Sequence, residues 1–368
     1  MEKYIFNLFK QQIFIWVCCF CFVANAQQKD LTSNAEVSVL TCGTGDDLYA
    51  LFGHTALRFK DKSQGIDLVF NYGMFDFDTD NFYLKFIKGD LQYYLAIDQY
   101  AEFVNYYSYK DRSITEQKLN LTFEEKKDIW LTVWSQYQSD EKFYHYKFIE
   151  NNCTTKVVDL LNDYSSYKIE TNFESNNKTY REILNSYLQL QYLPQLGISM
   201  VFGKKVDKQN ALLFLPEQFL AGIEKTNKLQ LEKKEVYKTR ADRNNAFQIS
   251  KWVFFVVVLL LSVFSKNLTL RRIYFTIVGV LGLLILFLQL YSQHMELLSN
   301  PFVGVYNPLY LLVLFSFRKK KFVLNSLTAV SIASLFLLSL EAFVILLPLI
   351  LLHFIFIYQE LTSHLKKK

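Results

Sequence analysis

The chain has 368 residues and a formal net charge of +5, and 51% of its residues are hydrophobic. Residues 252–368 contain ten Lys and Arg against three Asp and Glu, whereas residues 27–251 are net negative. The positive charge therefore belongs to the apolar C-terminal part, and the composition argues against nucleic acid as a partner.

The first 26 residues have the organisation of a secretory signal peptide. Two lysines precede an apolar run over 13–23, and Ala24-Asn25-Ala26 matches a signal-peptidase site. We predict cleavage after this site. The alternative is an uncleaved anchor, but the run is shorter than the roughly 20 residues that a membrane span needs.

Cleavage also changes the cysteine inventory. Three of the five cysteines lie in the signal, and the mature chain keeps Cys42 and Cys153. An oxidising compartment would permit a disulfide between them, although two cysteines do not make a disulfide scaffold.

Three strands are predicted at the start of the mature chain. Residues 35–42 alternate in polarity, and 54–60 and 67–73 follow as two further strands around a polar, glycine-containing turn. A four-residue loop would pair residue 60 with residue 65. This register places His54 opposite Asn71.

An aromatic stretch over 75–109 comes next, either as core or as a lipid-facing rim. A helix then begins at Thr122, because Thr122 and Glu125 have capping-box spacing ahead of an apolar face. A second helix begins after Asn152 as N-cap, with Cys153 in its first turn. Its packed stripe contains Val157, Leu160 and Leu161.

The C-terminal part reads as a membrane domain. We interpret the charged residues 225–248 as a connecting helix. Five candidate spans follow, at about 249–265, 273–291, 301–317, 322–340 and 342–358. Lys and Arg fall in alternate gaps and at the C-terminus, so the positive-inside rule places these gaps in the cytoplasm and residues 27–248 outside.

A catalytic pair is the sharpest functional hypothesis. A thiol at a helix N-terminus is expected to have a lowered pKa, and a thiolate nucleophile needs a base. His54 fits this role, with Asn71 as the orienting third residue. Asp67 and Asp76 are alternatives to Asn71, and His145 is an alternative base.

Other readings of Cys153 remain open at this point, namely packing or a disulfide with Cys42. The order His54, Asn71, Cys153 corresponds to a circularly permuted papain-like enzyme, with strands first and the cysteine helix afterwards. The sequence has no His/Cys pair at metal-ligand spacing, no phosphate-binding loop and no nucleophile elbow, so we predict no metal and no cofactor.

Four segments together resemble the bacterial lipoprotein N-acyltransferases of the Lnb type. They are LTCGTGDDLYALFGHTALRF, NYGMFDF, FYHYKFIENNCTTKV and GKKVDKQNALLFLP, and the resemblance covers roughly residues 35–222. It implies a permuted papain-like periplasmic domain, related to lecithin:retinol acyltransferase, that uses Cys153 and His54 as its catalytic pair.

The implied reaction moves a fatty acyl chain from a phospholipid, through a thioester on Cys153, to the α-amine of a lipoprotein's N-terminal diacylglyceryl-cysteine. The backbone N–H of Cys153 and the Asn152 side chain are candidates for stabilising the oxyanion. Candidates for substrate binding are Tyr72, His294 and Asn300.

The sequence thus predicts an α+β, permuted papain-like periplasmic domain over 27–224, followed by an all-α domain of five transmembrane helices over 249–368 with a cytoplasmic C-terminus. The expected location is the bacterial inner membrane. Two rival functions remain: a membrane-anchored cell-wall peptidase or amidase, and a non-catalytic membrane sensor or assembly protein.

Overall fold

The computed structural model describes residues 30–169, 177–188, 192–240, 244–315 and 318–363. The predicted signal peptide and its three cysteines lie outside these residues. Within them, the chain has an α+β N-terminal part and a helical C-terminal part, which confirms the predicted class at this level.

The described N-terminal part is built on a seven-stranded antiparallel sheet with the order β6-β4-β3-β2-β1-β5-β7. The first three strands, which alternation predicts, are present. The strands are β1 (Glu36–Cys42), β2 (His54–Asp61), β3 (Ile66–Met74), β4 (Gln92–Gln99), β5 (Ile114–Leu119), β6 (Phe143–His145) and β7 (Gln230–Tyr237).

The predicted register of the first hairpin is wrong by two residues. Lys60 pairs with Asp67, and the ladder between β2 and β3 ends at Leu57 and Phe70. Gly65 closes the turn with a left-handed φ of +63°. A shift of two keeps each side chain on its face of the sheet, so His54 and Asn71 still share a face beyond the end of the ladder.

The helices described in the N-terminal part are α1 (Phe82–Lys88), α2 (Tyr100–Tyr109), α3 (Phe123–Gln138), α4 (Cys153–Tyr164), α5 (Tyr180–Tyr187), α6 (Tyr192–Val201) and α7 (Pro216–Lys225). Helices α2, α3, α4 and α7 pack on the two faces of the sheet, whereas α6 packs against the C-terminal helices. The larger core lies between the sheet and helices α3, α4 and α7, and Trp130 packs there against Phe59 and Phe70. A smaller core lies under α2.

Both predicted amphipathic helices form where capping places them. Thr122 and Glu125 make the reciprocal hydrogen bonds of a capping box at the start of α3. Asn152 caps α4, and Val157, Leu160 and Leu161 are buried as predicted.

The predicted connecting helix over 225–248 is wrong. Helix α7 ends at Lys225, and Gln230–Tyr237 forms β7, which pairs with β5. Its five central residues are exposed, as is usual for a strand at the edge of a sheet. Their charged side chains give the segment the same composition as a solvated helix, which explains the wrong prediction. The buried Leu229 and the packed Val236 and Tyr237 hold its ends.

The described C-terminal helices are α8 (Asn244–Val263), α9 (Leu268–Tyr291), α10 (Phe302–Val305), α11 (Lys320–Leu335) and α12 (Leu340–Ser363). By length and composition, α9 and α12 can cross a membrane, whereas Trp252–Lys266 and Phe302–Leu314 are shorter apolar segments. Of the five predicted spans, two correspond to helices of spanning length among the residues that the structure describes.

Residues 301–317 do not form the single predicted span. The chain makes the short α10 and then a separate 3₁₀ helix over Pro308–Leu314. Pro308 has no N–H and its ring clashes with a preceding helical turn, so it ends one helix and starts the next. The Asn307 side chain accepts a hydrogen bond from Leu309 N and caps this second piece.

The two ends of the helical region differ. At one end, the buried carboxylate of Glu360 accepts from Arg271 and Lys320 at 2.8 and 2.9 Å. At the other end, the loop over 292–300 contacts the sheet domain. There the Gly203 N–H donates to Glu296 O at 2.7 Å, and a Cβ on Gly203 would lie 2.0 Å from Leu298 O. Glycine is therefore required at this contact.

Candidate active site

Cys153 is the first residue of α4 and lies beside the open end of the β2–β3 ladder. The Asn152 side chain accepts hydrogen bonds from the N–H groups of Thr154 and Thr155 at 2.8 and 3.0 Å. Gly73 of β3, with φ +89°, faces the cysteine: a Cβ at Gly73 would lie 3.3 Å from Cys153 Cβ. The absent side chain leaves space next to the nucleophile candidate.

His54 begins β2 and takes part in a chain of polar contacts. Its Nε2 lies 3.2 Å from Asn71 Oδ1, and Asn71 Nδ2 donates to Asp98 Oδ2 at 2.7 Å. An amide oxygen only accepts, so His54 Nε2 carries the hydrogen and Nδ1 keeps a free lone pair. The ring also stacks on Tyr107, with centroids 6.1 Å apart. The imidazole is therefore fixed in tautomer and plane.

The neighbours of Cys153 and His54 lock the two elements together. The hydroxyls of Thr55 and Thr154 lie 3.0 Å apart, and both residues are fully buried. The Thr55 backbone N–H also acts on Cys153, because it lowers the pKa of the thiol. Because Thr55 follows His54 and Thr154 follows Cys153, this bond holds the helix start against the strand start.

The electrostatics differ from the sequence prediction of a lowered thiol pKa. Burial raises the pKa of Cys153, and this outweighs the lowering by the nearby N–H groups of Thr55, Thr154 and Cys153. Burial, together with the charge of Arg112, lowers the pKa of His54 to about 4. At neutral pH the pair is therefore a thiol and a neutral imidazole, which can accept the thiol proton during attack.

Cys42 is a separate, structural thiol. It is fully buried at the end of β1, opposite His54 in the β1–β2 register, and burial raises its pKa well above the ordinary range. Cys42 and Cys153 are both free thiols in the structure. A buried neutral thiol behaves as a small apolar side chain.

Asn152 and Tyr72 are occupied by structural bonds. Both amide hydrogens of Asn152 go to backbone oxygens, of Phe148 at 2.8 Å and of Phe214 at 2.9 Å. The side chain therefore has no hydrogen left for an oxyanion and supports the helix start instead. Tyr72 is 4% exposed, and its hydroxyl donates to Gln136 at 2.5 Å, so it lies in the core and not on a substrate surface.

His294 and Asn300 join the helical region to the sheet domain. His294 Nε2 donates to Phe86 O at 2.9 Å, and Asn300 Nδ2 donates to the oxygens of Met200 and Val201 at 2.7 and 2.9 Å. Their neighbour Glu296 is 3% exposed and accepts from Ile149 N at 3.0 Å. The loop thus reaches the segment that leads into Cys153.

The three alternatives to these site residues lie elsewhere. Asp67 forms a two-point pair with Arg58, at 2.7 and 2.8 Å. Asp76 is exposed and accepts from Asp78 N. His145 is exposed on β6 and lines an open groove beside β4. Among the described candidates, His54 and Asn71 are in hydrogen-bond contact, and the Thr55–Thr154 contact holds the start of β2 beside the start of α4, where Cys153 lies.

Sequence reasoning missed Asp98 and Tyr144. Asp98 reaches Asn71 because β4 pairs with β3, and the alternation of residues 92–99 was the available signal. The Tyr144 hydroxyl is buried near Gly73 and makes no hydrogen bond of ordinary geometry within the described residues. Its position depends on the short pairing of β6 with β4, which no local pattern reveals.

Residues 23–186, a little under half of the chain, match the family described as Lnb N-terminal periplasmic domain. This match confirms, over this part of the chain, the resemblance seen in the sequence. Neither a curated protein nor a solved structure matches the chain significantly.

Proposed function

We propose that the protein is a membrane-bound N-acyltransferase that moves a fatty acyl chain from a phospholipid to the α-amine of a diacylated lipoprotein. The observation that supports this proposal lies within the residues that match the Lnb domain: the Thr55–Thr154 contact holds the start of β2, with its His54–Asn71 pair, against the start of α4, where Cys153 lies. The Lnb family is associated with lipoprotein N-acylation. Strands that precede the cysteine helix also fit a permuted papain-like arrangement.

In the first step, Cys153 Sγ attacks the carbonyl carbon of a phospholipid ester. The S–C bond forms while the thiol proton passes to His54 Nδ1. The C–O ester bond then breaks, and His54 returns the proton to the departing oxygen of the lysophospholipid. An acyl thioester remains on Cys153.

In the second step, the free α-amine of the lipoprotein attacks the thioester. An N–C bond forms, the S–C bond breaks, and His54 carries the amine proton to the sulfur. We assign the stabilisation of the oxyanion in both steps to two donors, the Cys153 backbone N–H at the helix start and the Tyr144 hydroxyl, which is buried near Gly73.

Both substrates reside in the membrane, and the C-terminal region supports that location. Helices α9 and α12 are long and apolar enough to span, and the basic residues Arg271 and Lys320 gather at the end away from the sheet domain. With basic ends in the cytoplasm, the Lnb domain would lie on the periplasmic face of the inner membrane.

The test uses detergent-purified full-length protein, phospholipid and a diacylated lipopeptide. We expect one added acyl chain on the lipopeptide with the wild type, and none with Cys153→Ser. A Cys42→Ser variant is the matched control and is expected to retain activity. Product from Cys153→Ser at the wild-type rate would reject the proposed nucleophile. Absence of product from every variant, with both lipids accessible, would reject the transferase.

A further inference from the structure

An unusual surface lies between Cys153 and the helical region. Four phenylalanines follow β3 and continue along α1, and we call them the aromatic strip: Phe75, Phe77, Phe82 and Phe86. Their rings contact one another in sequence, with centroid distances of 4.9 Å for Phe75–Phe77, 5.0 Å for Phe77–Phe82 and 6.4 Å for Phe82–Phe86.

The aromatic strip is exposed to solvent, at a place where the surface of a soluble protein would usually carry polar side chains. Phe77 is 60% exposed and Phe86 44%, and their neighbours Tyr83 and Leu84 are 74% and 50% exposed. No residue of α1 is buried. A contiguous exposed apolar patch of this kind marks a binding surface.

One end of the strip lies beside the catalytic centre. Phe75 is two residues beyond Gly73, which contacts Cys153. Its ring packs on Tyr93 at 5.2 Å, and Tyr93 stacks on Tyr146 at 4.4 Å. Tyr93 is buried and the other two rings are partly buried, so these three aromatic rings extend the strip towards the segment that leads into Cys153.

The other end lies at the end of α9, a helix that can cross a membrane. The Phe86 ring is 6.2 Å from the His294 ring, and the Gln293 N–H donates to Lys88 O at 2.9 Å. Tyr291, the last residue of α9, stacks on Phe287, as interfacial aromatics commonly do. Lys85 and Lys88 on α1 suit the level of phospholipid head groups.

We propose that the aromatic strip binds the acyl chain of a membrane lipid and guides it from the bilayer surface at α9 to Cys153. The occupant is an acyl chain because the strip is continuous both with a membrane-spanning helix and with the residue that would take the acyl group. This inference rests on the proposed function for its direction of transfer, but binding itself requires no catalysis.

Binding is tested with a phospholipid that carries a diazirine on one acyl chain, incubated with full-length Cys153→Ala in detergent micelles. We expect photo-crosslinks on residues 74–86 when the diazirine is near the chain end. Crosslinks confined to residues 252–363 would overturn the proposal. Because this variant cannot form a thioester, the experiment tests lipid binding by the strip independently of the acyl-transfer proposal.

Kinetics provide the second test. The double variant Phe77→Ser, Phe86→Ser changes exposed residues, and retained folding is checked by its thermal unfolding curve. We expect the rate with a sixteen-carbon donor to fall about tenfold relative to that with a four-carbon donor, because the lost apolar contacts act only on the long chain. Tyr109→Ser, an exposed aromatic on α2, is the matched control. An unchanged ratio in the double variant would overturn the proposal.

Discussion

The sheet domain and the helical region keep their polar side chains in different places. In the sheet domain, His54, Asn71 and the Thr55–Thr154 pair form a polar cluster where β2 and β3 part beside the start of α4. In the helical region, charged side chains lie at the two ends, at Glu360 and in the loop over 292–300, whereas buried polar contacts such as Tyr274–His353 lie between the helices. Under the proposed function the two regions have different tasks: the sheet domain carries out the chemistry, and the helical region holds it at a lipid surface.

The largest expected effect on the rate of acyl transfer comes from substitutions of Cys153 and His54 in the sheet domain. Cys153→Ser and His54→Gln remove the nucleophile and the base, and each is expected to lower acyl transfer by at least about a thousandfold. Mass spectrometry of the lipopeptide product measures the loss. If either variant keeps a tenth of the wild-type rate, the residue that it replaces is not the proposed nucleophile or base.

Asn71 tests whether orientation of the imidazole matters. Asn71→Ala removes the acceptor of His54 Nε2 and the donor to Asp98, so we expect a reduction in kcat of about 10- to 100-fold with a smaller change in KM. Asp67→Ala, on the same strand but paired with Arg58, is the matched control. Equal losses in the two variants would show that Asn71 acts on stability alone.

The pH dependence of kcat/KM tests the lowered pKa of His54. Burial lowers the pKa of His54 to about 4, so the base stays neutral down to that pH. At pH 5 its neutral fraction is roughly thirtyfold larger than with the ordinary pKa of about 6.5. We expect the acid limb of kcat/KM near pH 4. A limb near pH 6.5 would show that His54 is not buried during catalysis.

The same lowered pKa of His54 has a consequence for stability. Between about pH 4 and 6.5 the unfolded state binds more protons at His54 than the folded state, so the free energy of unfolding rises with pH across this window. The stabilisation is present above about pH 6.5 and is lost as the pH falls towards 4. Denaturant titrations should show a flatter profile for His54→Gln, and His145→Gln is the exposed control.

A smaller effect is expected at the contact between the two regions. Glu296→Ala leaves the buried Ile149 N–H without its acceptor, which costs about 1–3 kcal/mol. Because the segment that contains Ile149 leads into Cys153, we expect acyl transfer to be roughly tenfold slower in this variant. A tenfold change in rate lies within the energy range given for the lost acceptor. Glu296→Gln keeps an acceptor and should recover most of the rate. Glu150→Ala, exposed and adjacent, is the control.

Local patterns predicted the elements that depend on local rules. The alternation of β1 to β3, the capping box at Thr122 and the N-cap at Asn152 are all set by nearby residues, and each is present. The strand β7 was missed because its exposed charged residues lack the alternation of a half-buried strand. Partnership with β5 decides its conformation, and sequence does not display that partner.

The site shows the same division. The contact between His54 and Asn71 could be predicted from the alternation of side chains between the two faces of a sheet, because a register error of two residues does not change the face. The catalytic roles of Cys153, His54 and Asn71 stay predictions. Asp98 and Tyr144 enter through β4 and β6, whose pairing joins residues distant in the chain. The raised pKa of Cys153 was also missed, because helix position is visible in the sequence whereas burial arises from tertiary packing.

The central claim is that Cys153 carries the acyl chain between the two substrates. The most direct measurement is the mass of the full-length protein after exposure to phospholipid alone and then to a diacylated lipopeptide. We predict one acyl group mapped to Cys153, which leaves when the free-amine lipopeptide is added and stays when an N-acetylated lipopeptide replaces it. An absence of acyl-Cys153 while triacylated product still forms would contradict the account.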